Sequence, residues 1–565
     1  MVGAEQFVFK NRHSLLLAFI ILWITINLLQ GFFIGLDEDE AYYWVYSQNL
    51  QWGYFDHPPM VALAIKLGEL FGHSTLNSRL LAILFSGATI FFAFKALPQR
   101  LANIKTYIFV FASISVFHLY GFVVTPDSFL LFFTALFFYA YRLYLSKDDF
   151  PHTAFLAFCI VGLLYCKYQG ILPVFFTFLS NPKLIFKRSA WLVVLLTLVC
   201  YSPHLWWQYQ NDWQSFRFHL FERMASGYRI SKTTFYLIGQ VLIWGPLTTI
   251  LALSGFLKMR SSDLYMKAHY YCFWGILIFF FFLSFRSAVE AHWTLTAGVS
   301  FIVLLQQLIL QSTPKFKKWF SILLALNIAM VVAVRILFFI PGSLARITKL
   351  DYMMYGKEWA DQLYKITAGA PVVFIDSYGR PSLYQYYHRD VAVSAYNTVS
   401  YRKTYFSYSK NEALLNNKRV YVSKRYKMKK NDIILNNEHI PTRLQVLDSF
   451  KAVNCLKIFW ENKKEKMKPG DSLTAILTLI NPGNQTIESK GLCVNYTFFT
   501  TRKEFHTSKN IVEIPDRELS SGYSGPLTIE LKTPSLRGKY HLLFSVVQAP
   551  FDGSIASPLF DVVIK

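Results

Sequence analysis

Apolar runs of roughly 20 residues recur through the first 340 positions, each long enough to cross a hydrocarbon core of about 30 Å as a helix. Backbone groups inside a bilayer must bond within their own segment, so such a series predicts a bundle of membrane helices. The first run spans Leu15 to Phe33 after Lys10 and Arg12, and it lacks the short core and small-residue cleavage site of a signal peptide. Further runs lie near 79–97, 106–124, 127–145, 153–169, 170–182, 190–206, 233–256, 269–285, 293–311 and 319–340, about eleven in all. The break around Gly170 is the least marked of them.

The formal charge of +23 would suit nucleic acid on a soluble fold. Here the basic residues sit on alternate connections: Lys10 and Arg12, Arg100 and Lys105, Lys147, then Lys183, Lys187 and Arg188, then Lys258, Arg260 and Lys267, and last Lys315, Lys317 and Lys318. Short cytoplasmic loops carry that excess. The expectation is a multi-pass protein of the cytoplasmic (inner) membrane with membrane lipids around it and no nucleic-acid partner. An odd number of spans puts the chain after about 341 on the outer face, with the loops 35–78 and 204–232 and the turns near 125, 168 and 288.

After Pro341 the pattern is that of a soluble chain. Pro371 to Asp376, Val391 to Ala395 and Arg419 to Ser423 read as strands and Pro381 to Tyr387 as a helix start, so 341–446 is expected to be a small α/β domain. Between Arg402 and Lys430, ten Lys/Arg face one acid, Glu412, which fits a solvated face or a contact with anionic lipid or glycolipid. From 447 to 565, alternating runs at Leu473 to Leu479, Cys493 to Phe499, Leu527 to Leu531 and Tyr540 to Val547 predict an immunoglobulin-like β-sandwich. Cys455 and Cys493 could pair across its sheets in an oxidising compartment, and Cys159, Cys166, Cys200 and Cys272 read as apolar core residues.

The first outer loop, Leu36 to Met60, is the most informative stretch. Asp37, Glu38, Asp39 and Glu40 leave the first span together, followed by Tyr42, Tyr43, Trp44 and Tyr46. Crowded carboxylates near a low-dielectric boundary repel one another, so at least one is expected to hold its proton more tightly and to act as a base. The same acids can simply cap the following helix. Asp56, His57, Pro58 and Pro59 then return a second acid and an imidazole to the membrane surface, which favours a site.

DEAYYW at Asp39 to Trp44 and YFDHPPM at Tyr54 to Met60 resemble the opening signature of GT-C type membrane glycosyltransferases of the family 39 and 83 group. That group includes protein O-mannosyltransferases, lipid A aminoarabinose transferases and lipopolysaccharide-core transferases. The likeness continues through TPDS at Thr125 to Ser128, CKYQG at Cys166 to Gly170, Ser202 to His219, and EAHW at Glu290 to Trp293, and covers most of 1–340. It implies a transmembrane catalytic domain that moves a sugar from a polyprenyl-phosphate carrier to an acceptor on the outer side, with the family's key acid at Asp39 and Glu40 completing the pair. This chain has Tyr42 and Tyr43 where the aminoarabinose transferases have Arg then Tyr, and Asp56-His57 where they have Glu-Lys. The resemblance therefore does not carry over their sugar or their lipid A phosphate acceptor.

The chemistry can also be argued from the groups themselves. A phosphate leaving group, whose last ionisation is near pH 6, departs without a proton donor. One carboxylate then suffices to take the acceptor's proton as an oxocarbenium-like sugar is attacked, and direct displacement inverts the anomeric centre. Asp39 is the expected base, with Glu40, Asp56 and His57 beside it. Fixed cations must offset the departing phosphate. Candidates are Lys167, Arg217, Arg223, Arg229 and Arg286, with His57 if protonated; Lys167 ends an apolar span, where an ionisable group points to function or snorkels to the interface. Tyr42, Tyr43, Asp127, Glu290 and His292 are expected to bind substrate, although Asp127 also suits an N-terminal cap. A divalent cation held by Asp37, Asp39 or His57 fits these residue types, although their spacing does not define a metal site and Arg or Lys could do the same electrostatic work, so a divalent cofactor stays open.

The acceptor is expected to be a cell-envelope glycan, a glycolipid such as lipopolysaccharide, or a protein. Two other classes fit in part. A flippase of lipid-linked sugar accords with the spans, but no internal repeat or paired broken helices are visible. A binding protein centred on the β-sandwich leaves the acidic loop without a purpose.

Overall fold

In the computed structural model, residues 2–222, 228–259, 263–340, 343, 350–409, 411–424, 432–500, 505–507 and 512–565 are described. The chain divides into two compact units, a helical one up to residue 350 and a second from Asp351 to Lys565.

The helical unit runs α1 (Val2–Phe33), α2 (Glu38–Ser47), α3 (Met60–Gly68), α4 (Thr75–Ala96), α5 (Ile104–Ser113), α6 (Ser115–Tyr120), α7 (Pro126–Ser146), α8 (Phe150–Cys166), α9 (Ile171–Ser180), α10 (Arg188–Gln210), α11 (Gln214–Arg217), α12 (Ile230–Trp244), α13 (Thr249–Phe256), α14 (Leu264–Leu283), α15 (Gly298–Gln311) and α16 (Pro314–Leu337). Seven segments are long and apolar enough to cross a membrane: Ser14–Phe33 of α1, α4, α7, α10, α14, Ala291–Gln311 and α16. Together α12 and α13 make an eighth if they are one span, bent by 97° at the break. Gly245 permits that bend, because its φ is +117° and a Cβ there would lie 2.6 Å from Asn327 Nδ2. The remaining predicted runs fall on shorter apolar helices, α5 with α6, α8, and Tyr168–Ser180. This is a multi-pass membrane protein. Of the apolar cysteines, Cys159, Cys166 and Cys272 are buried as expected, whereas Cys200 is exposed on α10.

The second unit begins with α17 (Asp351–Thr367) and α18 (Gly379–Tyr387) around a sheet of β1 (Val372–Ile375), β2 (Val393–Tyr396), β3 (Val420–Lys424), β4 (Ile433–Leu435) and β5 (Thr442–Leu447) in the order β2-β1-β3-β5-β4. Both neighbours of β1 run parallel to it. The rest is a β-sandwich, antiparallel except where Lys466–Met467 pairs with Phe560–Ile564. Lys457–Trp460, Ser472–Ile480 and Ser524–Lys532 form one sheet, and Leu492–Phe499, Gly538–Gln548 and Phe560–Ile564 lie at the centre of the other. Ser524–Lys532 alternates buried and exposed positions without a break, as a half-buried strand should. One core, from Val373, Tyr396 and Val422 to Trp460, Leu477, Val494 and Phe544, unites both parts of the unit.

Cys455 and Cys493 are both free, and the Cys455 thiol instead donates to Ala452 O. In the basic stretch, Lys418 and Arg419 are exposed, while Arg402 stacks 4.8 Å over Tyr378 and Lys403 5.8 Å over Tyr408. Glu412 is buried, accepts from Asn454 N at 3.0 Å, and burial pushes its carboxyl up to about 8, so it does not balance that surface. Lys410 and residues 425–430 lie outside the described residues.

Candidate active site

The acid run after the first span divides by role. Asp37 caps α2, accepting from Asp39 N at 3.3 Å, and Glu40 reaches back to accept from Asp37 N at 3.0 Å, which completes a capping box. Glu40 is fully buried. Its carboxylate also accepts from Arg79 Nε at 2.7 Å, Arg79 Nη2 at 2.5 Å and Val124 N at 2.8 Å. Arg79 donates in turn to Ile34 O at 2.6 Å and Gly35 O at 2.7 Å. Glu40 is thus bound up in holding the loop to the bundle and has no lone pair to spare for a substrate, whereas Asp39 remains half-buried at the surface of the site. The raised proton affinity expected of the run falls on Asp37, where desolvation and then the charges of Asp39, Glu40 and Glu38 lift the carboxyl to about 8.

Facing this loop is a buried ion pair. Pro126 opens α7 and places Asp127 in its first turn, while Lys167 follows the last residue of α8 in extended conformation. Lys167 Nζ donates to both Asp127 oxygens, at 2.9 and 2.8 Å, and both residues are buried. Lys167 is therefore not snorkelling. His292 Nε2 lies 3.8 Å from Asp127 Oδ2, and its ring is 5.7 Å from that of Tyr120. Tyr120 lies in the field of Asp127, Asp39, Glu290 and Asp37, and His292 in that of Asp127, Lys167, Glu290 and Asp39. Four separate segments thus bring Asp39, Asp127, Lys167, and Glu290 with His292 together.

The second half of the loop is fixed by α10 and the segment after it. His204 Nδ1–H donates to Trp52 O at 2.6 Å, Trp207 Nε1 to Gln51 Oε1 at 3.1 Å, and Ser215 Oγ to Tyr54 O at 2.9 Å. A Cβ on Gly53 would lie 2.5 Å from the Trp207 ring, so only glycine lets the loop come this close. Asp56 is buried, takes the Tyr46 hydroxyl on Oδ1, and its carbonyl accepts from His219 Nε2 at 2.9 Å. His57 Nε2 lies 3.1 Å from the Tyr43 hydroxyl. Burial lowers the His57 pKa to about 3, against the attraction of Asp56 and with the help of Lys167 and His219, so the imidazole is neutral and cannot be the phosphate-binding cation the sequence allowed. Tyr42 and Tyr43 are buried, Tyr42 against the Tyr46 ring at 4.7 Å.

Arg217, Arg229 and Arg286 are exposed, with no hydrogen bond or ion pair to these acids among the described residues, and Arg223 lies outside them. No three His, Cys, Asp or Glu side chains among the described residues form a metal-holding group, so Asp37, Asp39 and His57 do not compose one. Sequence reasoning passed over Arg79, Tyr120, Tyr168 and His219. Arg79 carried a signal, a charge at the entrance of an apolar run. Tyr168, whose hydroxyl accepts from Gln208 Nε2 at 2.8 Å, and His219 lay within the quoted motifs.

Residues 56–207 match the model of the family described as dolichyl-phosphate-mannose-protein mannosyltransferase. Over 300 residues the chain is 26% identical to the lipid A galacturonosyltransferase RgtD of Rhizobium johnstonii, a match covering 49% of this chain and 61% of that protein. Crystal structures of ArnT from Cupriavidus metallidurans share the fold. The apo form superposes with a TM-score of 0.57 at 11% identity and the form bound to undecaprenyl phosphate with 0.54 at 12%, each covering 77% of this chain and 98% of ArnT. The chain has the fold of ArnT, a GT-C fold, and its sequence is similar to a membrane mannosyltransferase family over residues 56–207 and to a lipid A galacturonosyltransferase over 300 residues.

Proposed function

We propose that this chain transfers a sugar from an undecaprenyl-phosphate carrier to lipid A or another part of lipopolysaccharide, on the outer face of the inner membrane. The convergence of Asp39, Glu290 and His292 on the buried Asp127–Lys167 pair carries the reading. The relatives' lipid A acceptor and lipid-phosphate ligand support it.

Asp39 takes the acceptor proton as the sugar shifts, and displacement inverts the anomeric carbon. An ammonium has three N–H donors, and Asp127 uses two, which leaves Lys167 one for an oxygen of the departing phosphate. Asp127 aims that cation and keeps the buried charge compensated. Neutral His57 adds a hydrogen-bonding group without adding charge that would hold the phosphate after the sugar has left. Catalysis belongs to residues 1–340 in this reading. Residues 341–446 and 447–565, on the same outer face by the distribution of basic loops, position the acceptor.

The family match over 56–207 favours one alternative, a protein acceptor. Mass analysis of lipid A, core oligosaccharide and surface proteins from a strain lacking this chain separates the two. Loss of one sugar from lipopolysaccharide supports the proposal, loss from glycoproteins alone supports the alternative, and unchanged glycans in all fractions contradict both.

A further inference from the structure

Arg335 stands in the last turn of α16, with no ion pair to a carboxylate among the described residues. Its Nη2 donates to Asn27 Oδ1 and reaches His118 O at 3.4 Å, its Nη1 donates to His118 Nδ1 at 3.3 Å, and the guanidinium lies 5.6 Å over the Trp23 ring. His118 Nε2–H donates to Ala112 O at 2.7 Å, so Nδ1 is the acceptor and the imidazole is neutral. Every partner of this cation among the described residues is uncharged. Three buried donors, its own Nε, Asn27 Nδ2 and Gln30 Nε2 one turn further along α1, have no partner among the described residues, nor has Gln30 Oε1. Asn27 and Gln30 are only 0% and 1% exposed and share with Trp23 one face of α1.

An ionised group at membrane depth needs an opposite charge, and buried donors need acceptors. One phosphate supplies both, since its charged oxygens accept several N–H groups. The position fits. Asn27 and Gln30 lie in the final turns of the Ser14–Phe33 span, and Phe33 meets Phe339, just past α16, at 6.1 Å. The cluster therefore sits near helix ends, where lipid phosphates gather. Both spans are largely exposed, with 28% of each buried, so a lipid can approach between them. We propose that Arg335, Asn27 and Gln30 form a binding site for a lipid phosphate, apart from the Asp39 and Lys167 cluster. A membrane phospholipid and a polyprenyl phosphate present the same chemistry there.

The test uses the full chain in neutral detergent, with phosphatidylglycerol and undecaprenyl phosphate as probes, read by native mass spectrometry and thermal melting. No sugar donor is present, so the outcome is independent of glycosyl transfer. Arg335→Gln removes the cation. Gln30→Leu removes a side chain that makes no hydrogen bond in the described structure, so it decides the matter if the arginine variant fails to fold. Weakening of phosphatidylglycerol binding by about tenfold in these variants supports the site with a phospholipid occupant. A fall from two bound undecaprenyl phosphates to one supports it with a polyprenyl occupant. Unchanged binding of both probes in Gln30→Leu, or no binding of either to the wild type, overturns it.

Discussion

Glu40 and Arg79 form the tie on which the geometry of the first loop depends, and its strength can be worked from the contacts. Glu40→Gln keeps an oxygen for Arg79 Nε and Val124 N but turns an NH2 group toward Arg79 Nη2 and Asp37 N, so two acceptor contacts become donor against donor. It also leaves a fully buried guanidinium without its counter-charge. Breaking one side of such a pair costs about 3–5 kcal/mol. Arg79→Met, the reciprocal change, strands the carboxylate and should cost a similar amount. Combining the two removes both charges, so the double variant should be less destabilised than the sum, with a coupling energy of about 2–3 kcal/mol. Thermal melting of the purified chain with the single and double variants measures the cycle. Glu40→Gln within about 0.5 kcal/mol of wild type, or strict additivity, would refute the claim that this pair anchors the loop.

Lys167→Met should destabilise the chain by about 3–5 kcal/mol by exposing Asp127 as an unpaired buried charge, and Lys167→Met with Asp127→Asn should restore stability but not donor turnover, as melting and transfer assays on the same preparations will show. Asp37 holds its proton up to about pH 8, so transfer should fall above that pH as the loop gains another negative charge; Asp37→Asn should lose this alkaline limb, and identical profiles would remove Asp37 from the account. The Glu412 carboxyl, raised to about 8 in the fold, lends stability that is complete below its unfolded pKa of about 4.3 and lost as pH rises toward 8. Melting of the full chain should therefore weaken from pH 5 to 8, by on the order of a few kcal/mol, and Glu412→Gln should flatten the curve.

What was legible in the sequence is what depends on neighbours along the chain. Apolar runs marked the membrane helices, and alternation marked strands such as Ser524–Lys532. The crowding of Asp37 to Glu40 foretold a carboxyl with raised proton affinity, although not that it would be the capping Asp37. Tertiary contacts decided the rest. Glu40 looked like half of a catalytic pair until Arg79, on another helix, was found to saturate it. His57 looked chargeable beside Asp56, but the desolvation that forbids this comes from the surrounding helices. Lys167 looked as much like a snorkelling residue as a ligand, and only the folded position of Asp127 resolves it. Helix lengths were blurred for a different reason, because breaks at Ile114 and Gly245 leave the composition apolar while the path of the chain turns.

The central claim is that Asp39 removes the acceptor's proton during sugar transfer. Its direct measure is single-turnover transfer by the purified chain, from an undecaprenyl-phosphate sugar to lipid A, in wild type and Asp39→Asn. The account predicts a loss of at least about 100-fold in the variant, with melting temperature and binding of undecaprenyl phosphate retained. Transfer by the variant at the wild-type rate would contradict it.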